Sequence, residues 1–315
     1  MMGLKNKKWR LGVPRALFYY YYGSWWETFF HHLGVEIVVS PATCREIMDL
    51  GVELAVAEAC LPVKVYYGHA AWLAPYVDAL FVPRLVSVED KSYICPKLMG
   101  LPDMLRAALK PCPPIIDTTV DLSRRRDEGL QSAIKGMAKA LGMGANRVVE
   151  AVAAAKARYR EQIFTPDGLK ENTARQKLTV GIIGHGYLLY DRYLGMDVPE
   201  KVARMGGKVV FPEHLTEGEV EEACRQLSKR LYWTLGQKIM GAALHFMDRD
   251  DIDGIIHLTA FGCGPDSLVG DLAERYARRR GKPFLLLTLD EHTGEAGLNT
   301  RIEAFMDMLY RRRTA

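Results

Sequence analysis

The chain has 315 residues, of which 49% are hydrophobic and 25% are charged. This is enough apolar material for about two domains with buried cores, and it excludes a disordered tail or a small disulfide-stapled protein. The 42 Lys and Arg against 38 Asp and Glu leave a net charge of +4, which is too small to predict nucleic-acid binding.

The N-terminal segment is basic and precedes an apolar stretch, as in a signal peptide. However, Arg15 interrupts the apolar stretch, Glu27 ends it, and no small-residue cleavage site follows. No part of the sequence approaches the roughly 20 apolar residues that a membrane-spanning helix needs. The sequence therefore predicts a cytoplasmic protein whose six cysteines are reduced thiols, available for metal or redox chemistry.

Apolar β-branched runs alternate with helical patterns in the first part of the chain, which is typical of parallel βαβ layers. We therefore predict a first α/β domain over residues 1–121. Its predicted strands cover 10–14, 35–40, 79–86 and 114–120, and its predicted helices cover 16–33, 43–50, 62–74 and 97–110.

The pattern changes over residues 122–177, which are rich in Ala, Arg and Glu and contain no β-branched run. We predict a helical connector there, followed by a second α/β domain over residues 178–315. The predicted strands of this domain cover 178–184, 208–211, 254–259 and 283–289, and its predicted helices cover 199–205, 217–227, 231–247, 265–280 and 299–313.

Aromatic residues are concentrated in the first predicted helix. At helical spacing Phe18, Tyr22, Trp25 and Phe29 share one face, so most of this cluster is predicted to be core. The remaining ring edges are numerous enough to cover the surface of a partner subunit, which is the alternative interpretation. Stacking on nucleic acid is not expected, because Lys and Arg are not interleaved with the rings.

Three of the six cysteines share one sequence context. Cys60, Cys95 and Cys263 are each followed within two residues by Pro and then by a helical pattern. Because Pro is favoured in the first turn of a helix, each cysteine is predicted to lie at or just before a helix N-terminus. The N–H donors and positive partial charge of that end lower a thiol pKa and stabilise a metal-bound thiolate.

The topology of parallel sheets predicts where these cysteines lie. Strand-to-helix loops of a parallel sheet all open on one edge, where ligands bind. Cys60 and Cys95 are predicted to lie on neighbouring loops of the first domain, and Cys263 on a corresponding loop of the second. If the two domains face one another across a cleft, the three thiolates converge there.

The other three cysteines have different contexts. Cys224 lies within a predicted helix, Cys112 lies between two prolines, and Cys44 lies in the first turn of a helix, so we predict structural roles for them. Three thiolates do not identify a metal: an iron–sulfur cluster, a zinc ion and buried cysteines without metal are the open alternatives. The candidates for a fourth zinc ligand are His69, His185, His257 and His292.

Six short motifs occur together in this sequence. They are GVPRAL from Gly12, EACLPVK from Glu58, FVPR from Phe81, ICP from Ile94, FGCGPD from Phe261 and DEHTGEAG from Asp290. Together they resemble the cysteine-rich proteins related to 2-hydroxyacyl-CoA dehydratases and their activases, including 2-hydroxyglutaryl-CoA dehydratase-like and double-cubane cluster proteins. The resemblance extends over nearly the whole chain.

The resemblance implies an α/β fold of two flavodoxin-like (Rossmann-like) parallel-sheet domains, with an oxygen-sensitive cluster in the cleft between them. It implies that Cys60, Cys95 and Cys263 hold a [4Fe-4S] cluster, alone or as half of a double-cubane cluster. It also implies that an ATP-dependent activator of the actin-like superfamily supplies electrons. We expect a homodimer, or a heterodimer with a homologous subunit, because a reactive cluster must be shielded from water.

On this interpretation the protein receives low-potential electrons and reduces or dehydrates a small substrate at an open cluster iron. The candidate residues around the cluster are Arg15, Arg84, His185, His292 and Glu295. The alternatives are a non-catalytic electron-transfer or scaffold subunit that carries the cluster, and a zinc-binding α/β module. The sequence identifies neither the substrate nor the activator.

The segment from Gly181 to Gly186 follows a predicted strand and looks like a dinucleotide-binding loop. Its glycines do not have the G-x-G-x-x-G spacing, and no helix is predicted directly after it. We predict instead a turn that lines the cleft, with His185, Tyr187 and Asp191 near the cluster. The sequence contains no Walker A motif, so we do not expect this chain to hydrolyse ATP.

Overall fold

The structure is a computed structural model that describes residues 9–123, 125–159 and 178–314. The chain divides into two units, Met1–Ile163 and Phe164–Ala315, which we call unit 1 and unit 2. Residues 160–177 of the predicted connector lie outside the described residues. The bounds of the helical connector, 122–177, remain a prediction.

Unit 1 contains a four-stranded sheet and a two-stranded sheet, and the strand pairs in both sheets are parallel. The larger sheet has the order β2-β1-β3-β5, and β4 pairs with β6 in the smaller one. These strands are β1 Arg10–Val13, β2 Glu36–Val39, β3 Ala79–Phe81, β4 Arg84–Ser87, β5 Ile115–Ile116 and β6 Thr119–Asp121.

The described residues of unit 1 form seven α-helices beside these sheets. They are α1 Tyr19–His32, α2 Arg45–Leu54, α3 Leu61–Leu73, α4 Pro96–Met99, α5 Leu101–Ala108, α6 Arg126–Leu141 and α7 Ala145–Tyr159. The predicted helix over 97–110 is therefore two helices, with Gly100 between them. The last two helices fall within the predicted connector, and in the structure α7 packs against α1, where Arg147 donates to the backbone oxygen of Leu33 at 2.9 Å.

The predicted strand over 79–86 is two strands in the structure. Val82 and Pro83 separate β3 from β4, and the chain passes there from the larger sheet to the smaller one. Because proline has no N–H to donate to a sheet ladder, it interrupts regular pairing at this point. The predicted strand over 114–120 is also two strands: β5 belongs to the larger sheet and β6 to the smaller one.

Helices α2 and α3 approach each other at two glycines. A Cβ atom on Gly51 would lie 1.9 Å from the backbone oxygen of Lys64, and a Cβ atom on Gly68 would lie 1.8 Å from that of Ile47. The earlier position of α2 meets the later position of α3, so the two helices run antiparallel. Any side chain at either glycine would force the helices apart.

The aromatic cluster of α1 is largely core, as one of the two interpretations predicts. Trp26 and Phe30 are buried and meet Phe81 of β3 edge to face, with ring centroids 5.2 and 4.9 Å apart. The buried face differs from the expected one, because Tyr22 and Trp25 are only half-buried. Tyr22 lies beside Tyr159 of α7, so a helix of the same unit covers part of the remaining surface.

Unit 2 contains one four-stranded parallel sheet with the order β10-β9-β7-β8. Its strands are β7 Leu178–Gly184, β8 Gly207–Val210, β9 Gly254–Ala260 and β10 Phe284–Leu289. Its helices are α8 Gly186–Leu189, α9 Val198–Arg204, α10 Glu217–Cys224, α11 Thr234–Asp248, α12 Gly264–Arg280 and α13 Glu295–Thr314.

The two larger sheets share one strand order. If the strands of each sheet are counted along the chain, both sheets have the order 2-1-3-4, which is that of the flavodoxin-like fold. The central strand β9 is buried along its whole length, as expected for a parallel sheet covered on both faces. The predicted α/β class with two parallel-sheet domains is therefore confirmed. None of the described helices is long and apolar enough to span a membrane.

Candidate functional site

The two central strands of unit 2 end next to each other. Strands β7 and β9 are adjacent and parallel, and Gly184 at the end of β7 pairs with Leu258. The chain leaves β7 for β8 on one side and returns to β9 on the other, which makes a topological switch point. Ligands of open α/β sheets bind outside the carboxyl ends of the strands at such a point, so the residues that follow β7 and β9 form the candidate site.

His185 follows β7 directly and is only 4% exposed. Gly184 precedes it at φ 157°, and a Cβ atom on this glycine would lie 2.5 Å from the backbone oxygen of Leu258. Only glycine therefore lets the chain turn this close to β9. The ring of His185 stacks on Tyr187, with centroids 4.8 Å apart. Helix α8 begins directly after His185, which corrects the expectation that no helix follows this segment.

Cys263 is the N-cap residue of α12, with Pro265 in the first helical turn, as the sequence predicts. Its Sγ atom lies 4.0 Å from Nε2 of His185. Asp266 lies in the first turn of the same helix, and its Oδ2 atom is 3.9 Å from that Nε2. One potential ligand atom from each of the three residues lies within 4.8 Å of the other two.

The carboxylate of Asp266 is held from inside the sheet. It is 1% exposed, and its Oδ1 atom lies 3.0 Å from Nε2 of His257, which is fully buried in β9. Burial raises the pKa of Asp266, but the adjacent imidazoles of His257 and His185 and the hydrogen bond to His257 outweigh it and hold the pKa below its usual range. Burial lowers the pKa of His185, against the opposing charge of Asp266. Near pH 7 the cluster therefore contains an ionised carboxylate beside a neutral His185.

Three polar atoms of this cluster are buried without a hydrogen-bond partner among the described residues. They are Nδ1 of His185, Nδ1 of His257 and Oδ2 of Asp266. Buried polar atoms in folded proteins nearly always have a partner, so the three atoms require an explanation. The cluster has unused capacity to bind a proton donor or a metal ion.

The structure brings the loops of Cys60 and Cys95 together within unit 1. Both are N-cap residues, of α3 and α4 respectively. The Nζ atom of Lys97 donates to the backbone oxygen of Glu58 at 2.8 Å, which connects the two loops. Burial raises the pKa of Cys60, and the charge of Cys95 adds to this, whereas the backbone amide of Val63 and the charge of Lys97 lower it. The net direction is opposite to the lowering that helix ends predict.

The surroundings of these two cysteines differ from the prediction in two ways. Cys60 lies between two helices, α2 and α3, rather than on a strand-to-helix loop. Because α3 leads back to β3, its N-terminus still lies toward the carboxyl edge of the sheet. The helix after Cys95 spans four residues only, too few for a strong helix dipole.

The other three cysteines have different surroundings. The Cys112 thiol donates to the backbone oxygen of Pro113, and the Cys224 thiol donates to that of Gln237 at 3.5 Å. Cys44 is the N-cap residue of α2 rather than part of its first turn. It therefore shares the helix-start position of the three candidate ligands, but no proline follows it in the first helical turn.

Arg15 and Arg84 follow β1 and β3, the strands on either side of the switch point of unit 1. Arg84 donates to the backbone oxygen of Met99 and to Asp103, at 2.9 and 2.8 Å. The guanidinium of Arg15 makes no ion pair within the described part of the chain, and its Nε atom is buried without a partner. Of the two arginines, Arg15 therefore has the available cation.

His292 and Glu295 follow β10 and are both exposed. Glu295 accepts a hydrogen bond from Lys201 at 2.7 Å, at the start of α13. The backbone N–H of His292 donates to Asp290 in a turn. The structure describes no contact between these two side chains and the cluster around Cys263.

Asp266 belongs to the FGCGPD motif but is not among the residues predicted to have a role at the site. Asp266 comes three residues after Cys263, which places both side chains on one face of the first helical turn. That spacing was an available signal. The contact of Asp266 with His257 was not, because it depends on how α12 packs on β9.

Two family models match the chain. One, described as CoA enzyme activase uncharacterised domain (DUF2229), matches residues 10–215, and the other, described as 2-hydroxyglutaryl-CoA dehydratase, D-component, matches residues 194–309. No curated protein matches the chain.

Two solved structures of the SBP FpvC from Pseudomonas aeruginosa are among the structural matches. The Ni²⁺ complex is 15% identical with 98% of each chain covered and a TM-score of 0.28. The Mn²⁺ complex is 16% identical with 96% of each chain covered and a TM-score of 0.29. At these TM-scores we conclude nothing from the likeness.

Proposed function

Because the chain belongs to the CoA enzyme activase domain family and its C-terminal part is similar to the D-component of 2-hydroxyglutaryl-CoA dehydratase, we propose that it is an iron–sulfur protein that works with an electron-supplying partner. The proposed ligands are Cys60, Cys95 and Cys263. The observation that supports this set most strongly is that each of the three is the N-cap residue of a helix with proline in its first turn.

The donor chemistry of these residues fits such a cluster. Thiolates are the usual protein ligands of iron–sulfur clusters, and the loops of Cys60 and Cys95 lie together in unit 1. The start of α12, a helix of 17 residues, offers N–H donors and positive potential to a thiolate at Cys263. When bound, a [4Fe-4S] cluster with three cysteine ligands supplies low-potential electron transfer and one iron open to an exogenous ligand.

The chain's own residues would have distinct tasks around that group. The guanidinium of Arg15 would bind an anionic group of the substrate, because it makes no ion pair within the described ranges of the chain. His185, whose pKa burial lowers, would be a neutral imidazole beside Cys263. Lys97 would offset negative charge near Cys60. Arg84, His292 and Glu295 stay candidates without a described contact to a cysteine.

The proposed partner is an ATP-dependent activator of the actin-like superfamily, and the proposed reaction is reduction or dehydration of a small substrate. The alternative within the same proposal is a non-catalytic subunit that carries the cluster for another protein. A dimer with itself or with a homologous subunit is also proposed. Sedimentation of the anaerobic protein at micromolar concentration tests the dimer, and a monomer would contradict it.

Counting iron and acid-labile sulfide after anaerobic purification tests the ligand set. Cys60→Ser, Cys95→Ser and Cys263→Ser should each remove most of the iron. Cys224→Ser is the matched control and should keep it, because this thiol already donates to a backbone carbonyl. Zinc without sulfide in the unaltered protein would contradict the cluster. Equal iron loss in the Cys44, Cys112 and Cys224 variants would contradict the three-cysteine set.

A further inference from the structure

Three side chains of unit 2 that can ligate a metal ion lie close to one another. They are the thiol of Cys263, the imidazole of His185 and the carboxylate of Asp266; His185 and Asp266 are buried, and Cys263 is less deeply buried. Two of the residues come from the ends of adjacent strands and the third from the first turn of α12. This convergence lies at a switch point, where ligands of open α/β sheets bind.

Nε2 of His185 lies between the other two groups, at distances slightly longer than those between ligands of one metal ion. Nε2 of His185 is 4.0 Å from Sγ of Cys263 and 3.9 Å from Oδ2 of Asp266. A nitrogen and an oxygen 3.9 Å apart are too distant for a hydrogen bond. Around a tetrahedral zinc ion, the metal–ligand lengths give ligand-to-ligand distances of about 3.3 to 3.6 Å. The third pair, Sγ of Cys263 and the carboxylate of Asp266, is up to 4.8 Å apart. Closing the three groups on one ion therefore shortens the distances between them by about 0.4 to 1.2 Å.

The charges of the groups also balance a divalent cation. A metal-bound cysteine is a thiolate, and with the Asp266 carboxylate it supplies two negative charges in a buried place. Unpaired buried charge is costly, whereas a divalent ion neutralises both groups at once. His185 supplies a neutral nitrogen ligand to the same ion.

The surroundings of the carboxylate resemble those of metal-bound carboxylates. Nε2 of His257 forms a hydrogen bond of 3.0 Å with Oδ1 of Asp266. The other oxygen, Oδ2, faces His185 and has no hydrogen-bond partner among the described residues. A ligating carboxylate is commonly held in this way by a hydrogen bond to its other oxygen. The ring of His185 is held by stacking on Tyr187, with centroids 4.8 Å apart.

We propose that unit 2 by itself binds one divalent transition-metal ion, Zn²⁺ or Fe²⁺, through Sγ of Cys263, Nε2 of His185 and Oδ2 of Asp266. This goes beyond the proposed function, because it gives Cys263 a second metal-bound state in protein that carries no cluster. The fourth position of the tetrahedron belongs to water or another exogenous ligand, as in zinc sites with three protein ligands. Cys60 and Cys95 take no part in this state.

Anaerobic titration of the cluster-free, full-length protein with Co²⁺ tests the proposal, because a thiolate on Co²⁺ gives a charge-transfer absorption band. We expect a band at one Co²⁺ per chain, displaced by Zn²⁺. Cys263→Ser should abolish the band, and His185→Gln and Asp266→Asn should each weaken Co²⁺ binding at least tenfold. Cys60→Ser, Cys95→Ser and Cys224→Ser are the matched controls, with unchanged binding.

Several outcomes would overturn the proposal. One is the absence of the band in the unaltered protein, and another is its loss in Cys60→Ser or Cys95→Ser, which would place the ion on the cysteines of the proposed cluster. X-ray absorption of the unaltered Co²⁺ protein does not depend on the folding of any variant. It should find one sulfur ligand with nitrogen and oxygen ligands, and two or three sulfur ligands would contradict the site. Iron and sulfide counts test the cluster separately, so the two proposals fail independently.

Discussion

Nε2 of His257 lies 3.0 Å from Oδ1 of Asp266, and neither side chain has access to solvent. One residue belongs to the middle of β9 and the other to the first turn of α12, so their contact spans the loop that carries Cys263. The pair therefore fixes the start of the helix against the strand. It also holds one oxygen of Asp266 and leaves the other oxygen facing His185.

Removing His257 should lower the unfolding free energy more than neutralising Asp266 does. His257→Leu leaves the Asp266 carboxylate buried without its donor, and leaving a buried charge without its partner costs about 3 to 5 kcal/mol. Asp266→Asn keeps an acceptor for His257 and removes the charge, so we expect a loss of about 1 to 3 kcal/mol. Urea unfolding of the metal-free variants measures both. A smaller loss for His257→Leu than for Asp266→Asn would contradict an ionised carboxylate.

The stability of the protein should fall on the acid side because of His69. This side chain is fully buried between Ser40 and Thr43, and burial, followed by the charge of Arg15, lowers its pKa from 6.5 to about 3. Below pH 6.5 His69 binds a proton in the unfolded chain but stays neutral in the folded protein. The contribution of His69 is therefore complete above this pH and is lost, at about 1.4 kcal/mol per pH unit, as the pH falls toward 3.

His69→Gln isolates this contribution, because glutamine does not titrate. The unfolding free energy of the unaltered protein should drop by about 2 kcal/mol more than that of the variant between pH 7 and pH 5. Urea titrations at the two pH values give this difference. Parallel pH profiles for the two proteins would show that His69 is not held neutral.

Arg15→Met should change the acid behaviour more than the stability near pH 7. The guanidinium of Arg15 makes no ion pair in the described part of the chain, so the loss at pH 7 should stay within about 0.5 to 1 kcal/mol. Its charge contributes to the low pKa of His69, which should therefore rise in the variant. The pKa of His69, followed by its ring proton resonances, measures the effect. An unchanged pKa would place the guanidinium away from His69.

Helices α2 and α3 should not tolerate a side chain at their contact. Gly68→Ala places a methyl group 1.8 Å from the backbone oxygen of Ile47, so we expect a loss of about 1 to 3 kcal/mol or more from forced movement of the helices. Gly297→Ala in α13 is the matched control, because its methyl group meets nothing within 4 Å. It should stabilise the protein by up to about 1 kcal/mol through helix propensity. Thermal unfolding of both variants measures this difference, and equal effects would contradict the close approach.

Much of the fold follows from local sequence signals. The N-cap positions of Cys60, Cys95 and Cys263 were predictable because proline in the first turn specifies a helix start independently of tertiary packing. The parallel sheets were predictable from alternating apolar runs. Pro83 was also a readable signal, since a proline within a strand pattern argues for a break.

The composition of the site in unit 2 was less predictable. His185 and Cys263 were recognised from their positions after strands, but no local pattern shows that α12 places Asp266 against His257 of β9. The short helix α8 escaped prediction because four residues carry too little periodicity to recognise. The direction of the Cys60 pKa was missed because burial depends on the surrounding fold rather than on the helix end.

The contact of Gly51 and Gly68 also fixes the spacing of two thiols. Gly68 comes eight positions after Cys60, which is about 12 Å along α3, and Ile47 comes three positions after Cys44, which is about 4.5 Å along α2. Because the helices are antiparallel, these lengths add to about 16 Å. Cys44 and Cys60 therefore stand at opposite ends of a helical hairpin, out of reach of a shared iron. A single iron–sulfur cluster bound by both of these cysteines would therefore need Cys44 from one copy of the chain and Cys60 from another.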